Sequence, residues 1–550
     1  MNIRPEHQID FYKSGHISQY PKGTEKIYSN FTPRSGSYFL QEGVEGVLFF
    51  GLQGFMQSTL IDLWKDNFFR KPIENILDRY KARMDKALGP GLVGTDHIKA
   101  LWELGYLPLE IKALPEGSMV PFKVPVFTVT NTDPHFAWLV TYLETLFSVE
   151  LWKPITSATT ALGYKKLVDK YSALTGGHPG FKGWQCHDFS MRGMSSMQDA
   201  AKSGAAHLTC FSGTDTVPSL DYLEDYYNGL DTFLGGSVPA TEHSVMCMGS
   251  KETEIETFRR LISEVYPTGI VSIVSDTWDF WKVITEYLPE LKEEILARPA
   301  NGIGQSKTVL RPDSGDPVEI ICGVKIIDAV GNTMNEALRY LDKIQLETGV
   351  NPMWSDGLTY FHWKGNLYRV NLYDDINPVN LEITTLTPEL KGAVECLWEI
   401  FGGVVTDTGY KMLDSHIGLI YGDSITLARA EEIFRRLEEK GFCSDNVVFG
   451  IGSYTYNYVT RDSLGFAMKA THGVIQGQSV ELVKDPATDS GTKKSAKGLL
   501  RVEKENGKYV LYDQQTPEQE KTGCLETVFK DGEITKFQTI TEIRERVNNL

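Results

Sequence analysis

Four stretches of the chain share one layout, a short β-branched apolar run that ends in an acid or a small residue. They are Ile270–Asp276 (IVSIVSD), Lys307–Asp313 (KTVLRPD), His416–Asp423 (HIGLIYGD) and Asn446–Ser453 (NVVFGIGS). Continuous apolar runs bounded by turn residues predict parallel strands covered on both faces. Amphipathic helices separate several of them. After Asp423, the apolar positions Leu427, Ala430, Ile433, Phe434 and Leu437 recur at helical spacing with charges between, and Gly441 supplies a stop. Strand–helix alternation with polar residues at successive strand ends is how an α/β barrel collects an active site at one rim. The pattern therefore predicts an α/β enzyme.

The flanks read differently. Residues 1–180 mix β-like segments, such as Lys123–Asn131, with a helical stretch from His135 to Tyr171. The barrel alternation occupies 181–475, and 476–550 holds two hairpins. Gly498–Tyr512 turns at Asn506–Gly507 and Glu526–Ile540 at Asp531–Gly532, both dipeptides suited to type I′ turns. The N- and C-terminal segments are thus expected to form a sheet-rich domain beside the barrel. An insertion at 318–386 interrupts the barrel pattern. It contains a third hairpin, Tyr360–Tyr373, expected to turn at Gly365–Asn366, and a fresh helix start follows at Thr387 and Pro388.

Composition narrows the class. The 550 residues carry a net charge of −17, which argues against general nucleic-acid or membrane-surface binding, because both need a basic footprint. The seven cysteines are scattered, without a C-x-x-C pair, and fit reduced thiols rather than a disulfide framework or zinc site. The N-terminus MNIRPEHQIDFYK lacks the apolar core of a signal peptide, and no apolar run approaches the roughly 20 residues of a membrane span. A cytoplasmic protein is expected.

Several loops offer chemistry, and each admits a plainer reading. In QCHDFSMRGMSS, Phe189 and Arg192 present an aromatic face and a fixed cation, or are a packed ring and a surface charge. Asp215 in FSGTDT is either a ligand group or the cap of the helix that Val217 begins. The loop GGSVPATEHS sets Glu242 beside His243, an arrangement shared by structural and catalytic histidines. RPDSGDP carries Arg311, Asp313 and Asp316 off a strand end; it suits phosphate and sugar hydroxyls, and is also good turn chemistry. YGDS and FGIGSY place glycines at two late strand ends, where backbone N–H groups can form an anion nest. Arg461 and Lys469 add positive charge. Together these pieces suit a flat ring plus a phosphorylated sugar.

With these residues in order, the chain resembles the nicotinamide phosphoribosyltransferases of the type II phosphoribosyltransferase family. The resemblance runs through DFYK (Asp10–Lys13), VTNTDP (Val129–Pro134), HDFSMRGMSS (His187–Ser196), GTDT (Gly213–Thr216) and SVPATEHS (Ser237–Ser244). It continues through IVSD (Ile273–Asp276), RPDSGDP, GD (Gly422–Asp423), TRD (Thr460–Asp462) and VKDP (Val483–Pro486). It implies transfer of phosphoribosyl from 5-phosphoribosyl 1-pyrophosphate to nicotinamide in NAD salvage, with Mg²⁺ and with ATP coupled through phosphohistidine, in a homodimer with shared active sites.

The resemblance also implies residue roles. Asp10, Ser237 and the residues named next would bind substrate. Phe189 would stack on the pyridine ring, with Tyr12 of the partner subunit closing the other face, and Arg192 would meet the ring's amide region. Arg311 and Asp313 would hold the ribose-phosphate portion, Gly422 and Asp423 the sugar, and Gly452 and Ser453 the 5′-phosphate. Arg461 and Lys469, supplied across the dimer, would meet pyrophosphate or ATP. His243 would be phosphorylated, with Asp276 orienting its ring, and Mg²⁺ would be held mainly by pyrophosphate. Asp215 would accept from the carboxamide NH₂ of nicotinamide and repel nicotinate.

Three features depart from the family pattern. They are the insertion at 318–386, a shorter loop after Arg34, and Gly452-Ser453 where many members have consecutive glycines. The competing readings are a nicotinate phosphoribosyltransferase on the same fold and a non-catalytic interaction protein that retained it.

Overall fold

The computed structural model describes residues 3–41, 43–348, 358–371, 380–422, 424–483 and 496–550. The chain divides into two units, one of Met1–Lys165, Asp188–Gly236 and Gly452–Leu550, the other of Lys166–His187 and Ser237–Ile451. Of the residues singled out in the sequence, Asp423, Tyr373 and Lys484–Pro486 lie outside the described residues.

The first unit is built on an antiparallel sheet drawn from both ends of the chain, as expected. Its strand order is Gln478–Glu481, Ala467–Ile475, Thr24–Thr32, Phe127–Asn131, Leu109–Ala113, Glu526–Lys530 and Glu533–Ile534. Thr24–Thr32 lies inside the sheet, and five consecutive residues of it are buried instead of alternating. Phe31 stacks on Phe127 and on Phe466, each at 5.3 Å between ring centroids. This aromatic stack ties sheet register to core packing, since a one-residue slip would turn Phe31 out of the core. The helical stretch becomes Ala137–Tyr142 and the 32-residue Glu144–Thr175, within which the first segment of the first unit ends at Lys165.

Two boundaries differ from the sequence reading. The strand expected at Lys123–Asn131 begins only at Phe127, because Lys123 sits in a turn at φ 70°. The hairpin expected over Glu526–Ile540 does turn at Asp531–Gly532, both at positive φ. Its second strand stops at Ile534, and Ile540 opens a helix capped by Thr539 and Glu542. The Asn506–Gly507 hairpin forms as read, between Leu499–Glu505 and Lys508–Gln515.

The second unit contains the parallel sheet. Five of its six strands follow one another in the order Cys186–Asp188, Val447–Ile451, Ile417–Tyr421, Ser306–Arg311 and Gly269–Val274, a parallel α/β layout of the half-barrel kind. All four apolar runs are strands of it. Beyond Gly269–Val274 the segment Pro239–Thr241 adds parallel pairing, with Ser272 N–H donating to Pro239 O at 2.8 Å and Thr241 N–H to Ser272 O at 2.9 Å. Helix Leu427–Glu439 buries Ile433, Phe434 and Leu437, and Phe434 meets Phe449 at 4.7 Å.

The insertion is a compact excursion. Val318 still belongs to helix Pro317–Cys322, so the departure comes at Gly323. A Cβ on Gly392, where the chain returns, would lie 2.1 Å from Gly323 N. Entry and exit therefore share one point. Strands Ile327–Asp328, Leu358–Trp363, Asn366–Asn371 and Asn380–Thr384 form a sheet, with Leu341, Phe361 and Val370 as its core. The hairpin turns at Lys364–Gly365, one residue before the expected position. That register stacks Phe361 on Tyr368 at 5.3 Å and keeps Phe361 inside. Among the described residues no helix is long and apolar enough to cross a membrane.

Candidate functional site

The second unit gathers a carboxylate, a guanidinium and an imidazole where its strands end. Strand Ser306–Arg311 delivers Arg311, and Pro312 takes the chain out of the sheet. Arg311 Nη2 donates to Thr241 O at 2.6 Å, and Ser275 N–H donates to Arg311 O at 3.1 Å. Asp313 N–H donates to Asp276 Oδ2 at 2.8 Å, and the Ser314 hydroxyl donates to the same oxygen at 2.6 Å. Asp276 thereby holds the turn that carries Asp313. Its other oxygen, Oδ1, is buried without a hydrogen-bond partner among the described residues.

His243 is half-exposed and opens the short helix His243–Met248, with Glu242 at the N-cap position. Its Nε2 faces Asp313 Oδ2 at 4.0 Å and its Nδ1 lies 3.5 Å from Thr277 Oγ1. Asp313 and Thr277 thus flank the imidazole, while the Asp276 carboxylate bonds the Asp313–Ser314 turn. Glu242 bonds the Ser244 hydroxyl.

Gly422 follows strand Ile417–Tyr421, and a Cβ there would sit 2.6 Å from Asp313 Oδ1. Glycine is what lets the carboxylate lie over the strand end. Asp316 serves the backbone instead. It caps helix Pro317–Cys322, accepting from Val318 N–H at 2.9 Å and Glu319 N–H at 3.1 Å. The RPDSGDP segment therefore divides into a half gathered at the strand end beside His243 and a half that caps a helix.

In the first unit, buried Asp188 organises the HDFSMRGMSS loop. Its Oδ1 accepts from Ser190 N–H at 2.9 Å and its carbonyl from Asp215 N–H at 2.9 Å. Phe189 is half-buried, while Arg192 and Asp215 are exposed. The N-cap position of helix Val217–Tyr227 is Thr216, directly after Asp215. Gly452 precedes the short helix Ser453–Asn457. A Cβ on Gly193 would meet Ser453 Oγ at 2.1 Å, so these two loops touch.

Side chains that the sequence did not single out hold this contact. Asn457 Nδ2 donates to Gly193 O at 2.6 Å, and Lys153 Nζ donates to Asn457 Oδ1 at 2.7 Å. The Lys153 ammonium also lies 3.6 Å from Asp199 Oδ1. Asp199 Oδ2 accepts from the Ser195 N–H at 3.1 Å and hydroxyl at 2.6 Å. Burial lowers the Lys153 pKa, with Asp199 opposing. A lysine in helix 144–175 carries no local signal of such a role, because its partner is 304 residues away.

The remaining candidates each have neighbours of their own. Asp10 Oδ2 accepts from the Thr145 hydroxyl at 2.6 Å. Tyr12 is 63% exposed, with the His16 ring at 5.9 Å and the Lys13 ammonium 5.2 Å from its ring centroid. Arg461 pairs with Asp462 at 3.1 Å, and Lys469 projects from strand Ala467–Ile475. Ser237 is exposed just before the Pro239–Thr241 segment. Among the described residues no three His, Cys, Asp or Glu side chains converge as a metal cage.

Comparison with known proteins fits this geometry. The nicotinate phosphoribosyltransferase (NAPRTase) family matches residues 184–533, and the nicotinamide phosphoribosyltransferase N-terminal domain matches residues 6–68. The nicotinamide phosphoribosyltransferase of Acinetobacter baylyi is 51% identical over 547 residues, 99% of this chain and 97% of that one. The Mycoplasma pneumoniae protein of the same name is 32% identical, covering 89% of this chain and 93% of its own. A crystal structure of nicotinate-nucleotide pyrophosphorylase from Pyrococcus furiosus aligns over 99% of this chain and 95% of that one, with a TM-score of 0.51 and 12% identity, a likeness of fold alone. With strand-end acids, glycines and histidine in place and a near full-length match at 51% identity, the chain belongs to the nicotinamide phosphoribosyltransferase family of pentosyltransferases.

Proposed function

We propose that the chain transfers the phosphoribosyl group of 5-phosphoribosyl 1-pyrophosphate to nicotinamide, giving nicotinamide mononucleotide and pyrophosphate for NAD salvage in the cytoplasm. The pyridine nitrogen forms a bond to the anomeric carbon, and the carbon–oxygen bond to pyrophosphate breaks with its electron pair leaving on oxygen. Positive charge develops on the ribose and negative charge on the leaving group. Fixed polar groups stabilise such charge without reorganising at the moment of reaction.

In this reading the second unit serves the ribose and the phosphates. Asp313, over Gly422, takes ribose hydroxyls, and Arg311 faces phosphate oxygens. The observation that carries the assignment is the placement of His243, with Nε2 4.0 Å from Asp313 Oδ2. An imidazole next to the group that holds the sugar is placed for a phosphoryl group to act on substrate binding. ATP donates its γ-phosphoryl to the imidazole, forming the nitrogen–phosphorus bond and releasing ADP. Water later cleaves that bond to phosphate. While present, the phosphoryl group adds charge and acceptor oxygens beside the substrate.

The first unit serves the ring and the 5′-phosphate. Phe189 stacks on pyridine, Arg192 meets the amide region, and Gly452 and Ser453 hold phosphate through backbone N–H groups. Tyr12, Arg461 and Lys469 act across a homodimer. Mg²⁺ travels with pyrophosphate and is held mainly by its oxygens. Asp215 sets the choice of base: it accepts from the nicotinamide NH₂ and repels the nicotinate carboxylate, which is worth discrimination of about 10² or more.

One assay tests the reading. Product formation from 5-phosphoribosyl 1-pyrophosphate is followed with nicotinamide and nicotinate side by side, with and without ATP. Nicotinamide is expected to win, ATP to raise the rate, and Asp215→Ser to relax the preference. An acid-labile phosphate from ATP should appear on the wild type and vanish in His243→Ala. Equal use of both bases, or an unchanged ratio in Asp215→Ser, retires the specificity assignment. ATP-independent activity in His243→Ala equal to the wild type retires the coupling.

A further inference from the structure

The loop carrying Phe189 and Arg192 and the turn Gly452–Ser453 are far apart in sequence yet interlock in two ways within the first unit. The Ser453 hydroxyl occupies the space a side chain on residue 193 would need, at 2.1 Å from the ideal Cβ position. The Asn457 amide bridges the same residue, donating to Gly193 O at 2.6 Å. Its orientation is not free. Lys153 Nζ sits 2.7 Å from Asn457 Oδ1 and has only donors, so the amide must turn its oxygen to Lys153 and its NH₂ to Gly193. Lys153 is itself held, at 12% side-chain exposure, against equally shielded Asp199. Asp199 in turn accepts two hydrogen bonds from Ser195, on the far side of the Arg192 turn.

From this geometry we infer that Asn457, oriented by Lys153, is a positioning residue that locks the ring-binding loop to the 5′-phosphate turn. Its purpose is to fix the distance between the pyridine ring and the anchored phosphoribosyl group. Neither side chain needs to touch substrate. The bridge makes closure of one loop depend on the other, so a phosphate seated on Gly452–Ser453 pre-sets the loop that receives nicotinamide. Placement of two reactants to within a fraction of an ångström is a large lever on a bimolecular displacement. The inference rests on the proposed function of these two loops.

Asn457→Asp is the sharpest test, because it preserves shape and the partner for Lys153 while replacing the donor to Gly193 with an acceptor. Two oxygens would then face each other near 2.6 Å, the present donor–acceptor distance. The variant should show a KM for nicotinamide raised about tenfold, the worth of one such hydrogen bond, with the thermal midpoint held. Lys153→Met should act in the same direction. A second pair reads the steric half: Gly193→Ala should raise the same KM, and adding Ser453→Gly, which vacates the contested space, should restore it.

Both KM values within twofold of wild type in Asn457→Asp and Lys153→Met would overturn the inference. So would failure of Ser453→Gly to rescue Gly193→Ala, or a parallel fall of kcat, affinity and thermal midpoint, which marks a purely structural role. A wild type that does not convert nicotinamide would retire the proposed function and this inference with it. An active wild type with indifferent variants retires the inference alone.

Discussion

The two units place their functional groups by different physical means. In the second, Arg311 ends a strand, where Ser275 N–H bonds its carbonyl, and Asp313 two residues on is placed through its backbone N–H, bonded to the Asp276 carboxylate at the end of the neighbouring strand. In the first, the Phe189–Arg192 loop and the Gly452–Ser453 turn are set by side chains, Lys153, Asp199 and Asn457, reaching across the sequence. A sheet determines geometry locally, so residues that follow an apolar run inherit it. A side-chain bridge determines geometry only once both ends have folded.

The largest expected effect breaks the comparison if it fails. Asp313→Ala leaves the ladder untouched while removing the carboxylate over Gly422, and kcat/KM should fall by about 10³, the scale for losing a transition-state contact. The thermal midpoint should hardly move, because Asp313 is held through its backbone N–H by Asp276. Steady-state kinetics and a melting curve decide it. A collapse of stability alongside activity would mean that the rim is not preset by the sheet.

A smaller effect belongs to the first unit's core. His97 is buried edge-on against Trp138 at 4.8 Å, and burial holds its pKa down at about 4. The folded state therefore disfavours the imidazolium, while the unfolded chain takes up a proton below pH 6.5. Stability is full above that pH and is lost as pH falls from 6.5 towards 4. Burial also lowers His7 to about 4, which adds to the loss, while Glu6, raised by burial to about 6, works against it by favouring its neutral form. His97→Leu should reduce the loss between pH 7 and pH 4.5 by about 2 kcal/mol. Denaturant melts at pH 7 and pH 4.5 check it, and an unchanged difference between the two would refute it.

What was legible in the sequence follows the same division. The four apolar runs became parallel strands because strand identity is local and their flanking acids and glycines mark the ends. Arg311, Asp313 and Gly422 came with them. The two C-terminal hairpins were legible from Asn-Gly and Asp-Gly, whose positive φ both turns use. The hairpin in the insertion was misplaced by one residue because Phe361 and Tyr368 set the register, a tertiary fact that outweighs turn preference. The bonds from Asp276 to the Asp313 turn, and the Lys153–Asn457 bridge, left no trace in spacing. Each depends on where a second segment arrives.

The smallest effect sharpens the comparison most, because one kind of substitution can be made in both units. A Cβ on Gly422 would lie 2.6 Å from Asp313 Oδ1, and one on Gly193 would lie 2.1 Å from Ser453 Oγ. Neither glycine needs positive φ, so the strain in each alanine variant comes from the neighbour alone. Overpacking of this kind costs about 1–3 kcal/mol, so each variant should lose about tenfold or more in kcat/KM. The two differ in how they can be repaired. At Gly193 the obstructing atoms are the Ser453 Oγ and Cβ, whose removal leaves in place the backbone N–H groups of the turn proposed to hold phosphate, and Ser453→Gly should restore activity. At Gly422 the obstructing atom belongs to the carboxylate proposed to hold the ribose, so trimming Asp313 to relieve Gly422→Ala should deepen the loss. Rescue at both sites would show that Asp313 is dispensable, and rescue at neither would show that the first unit's loops are as rigidly preset as the strand ends.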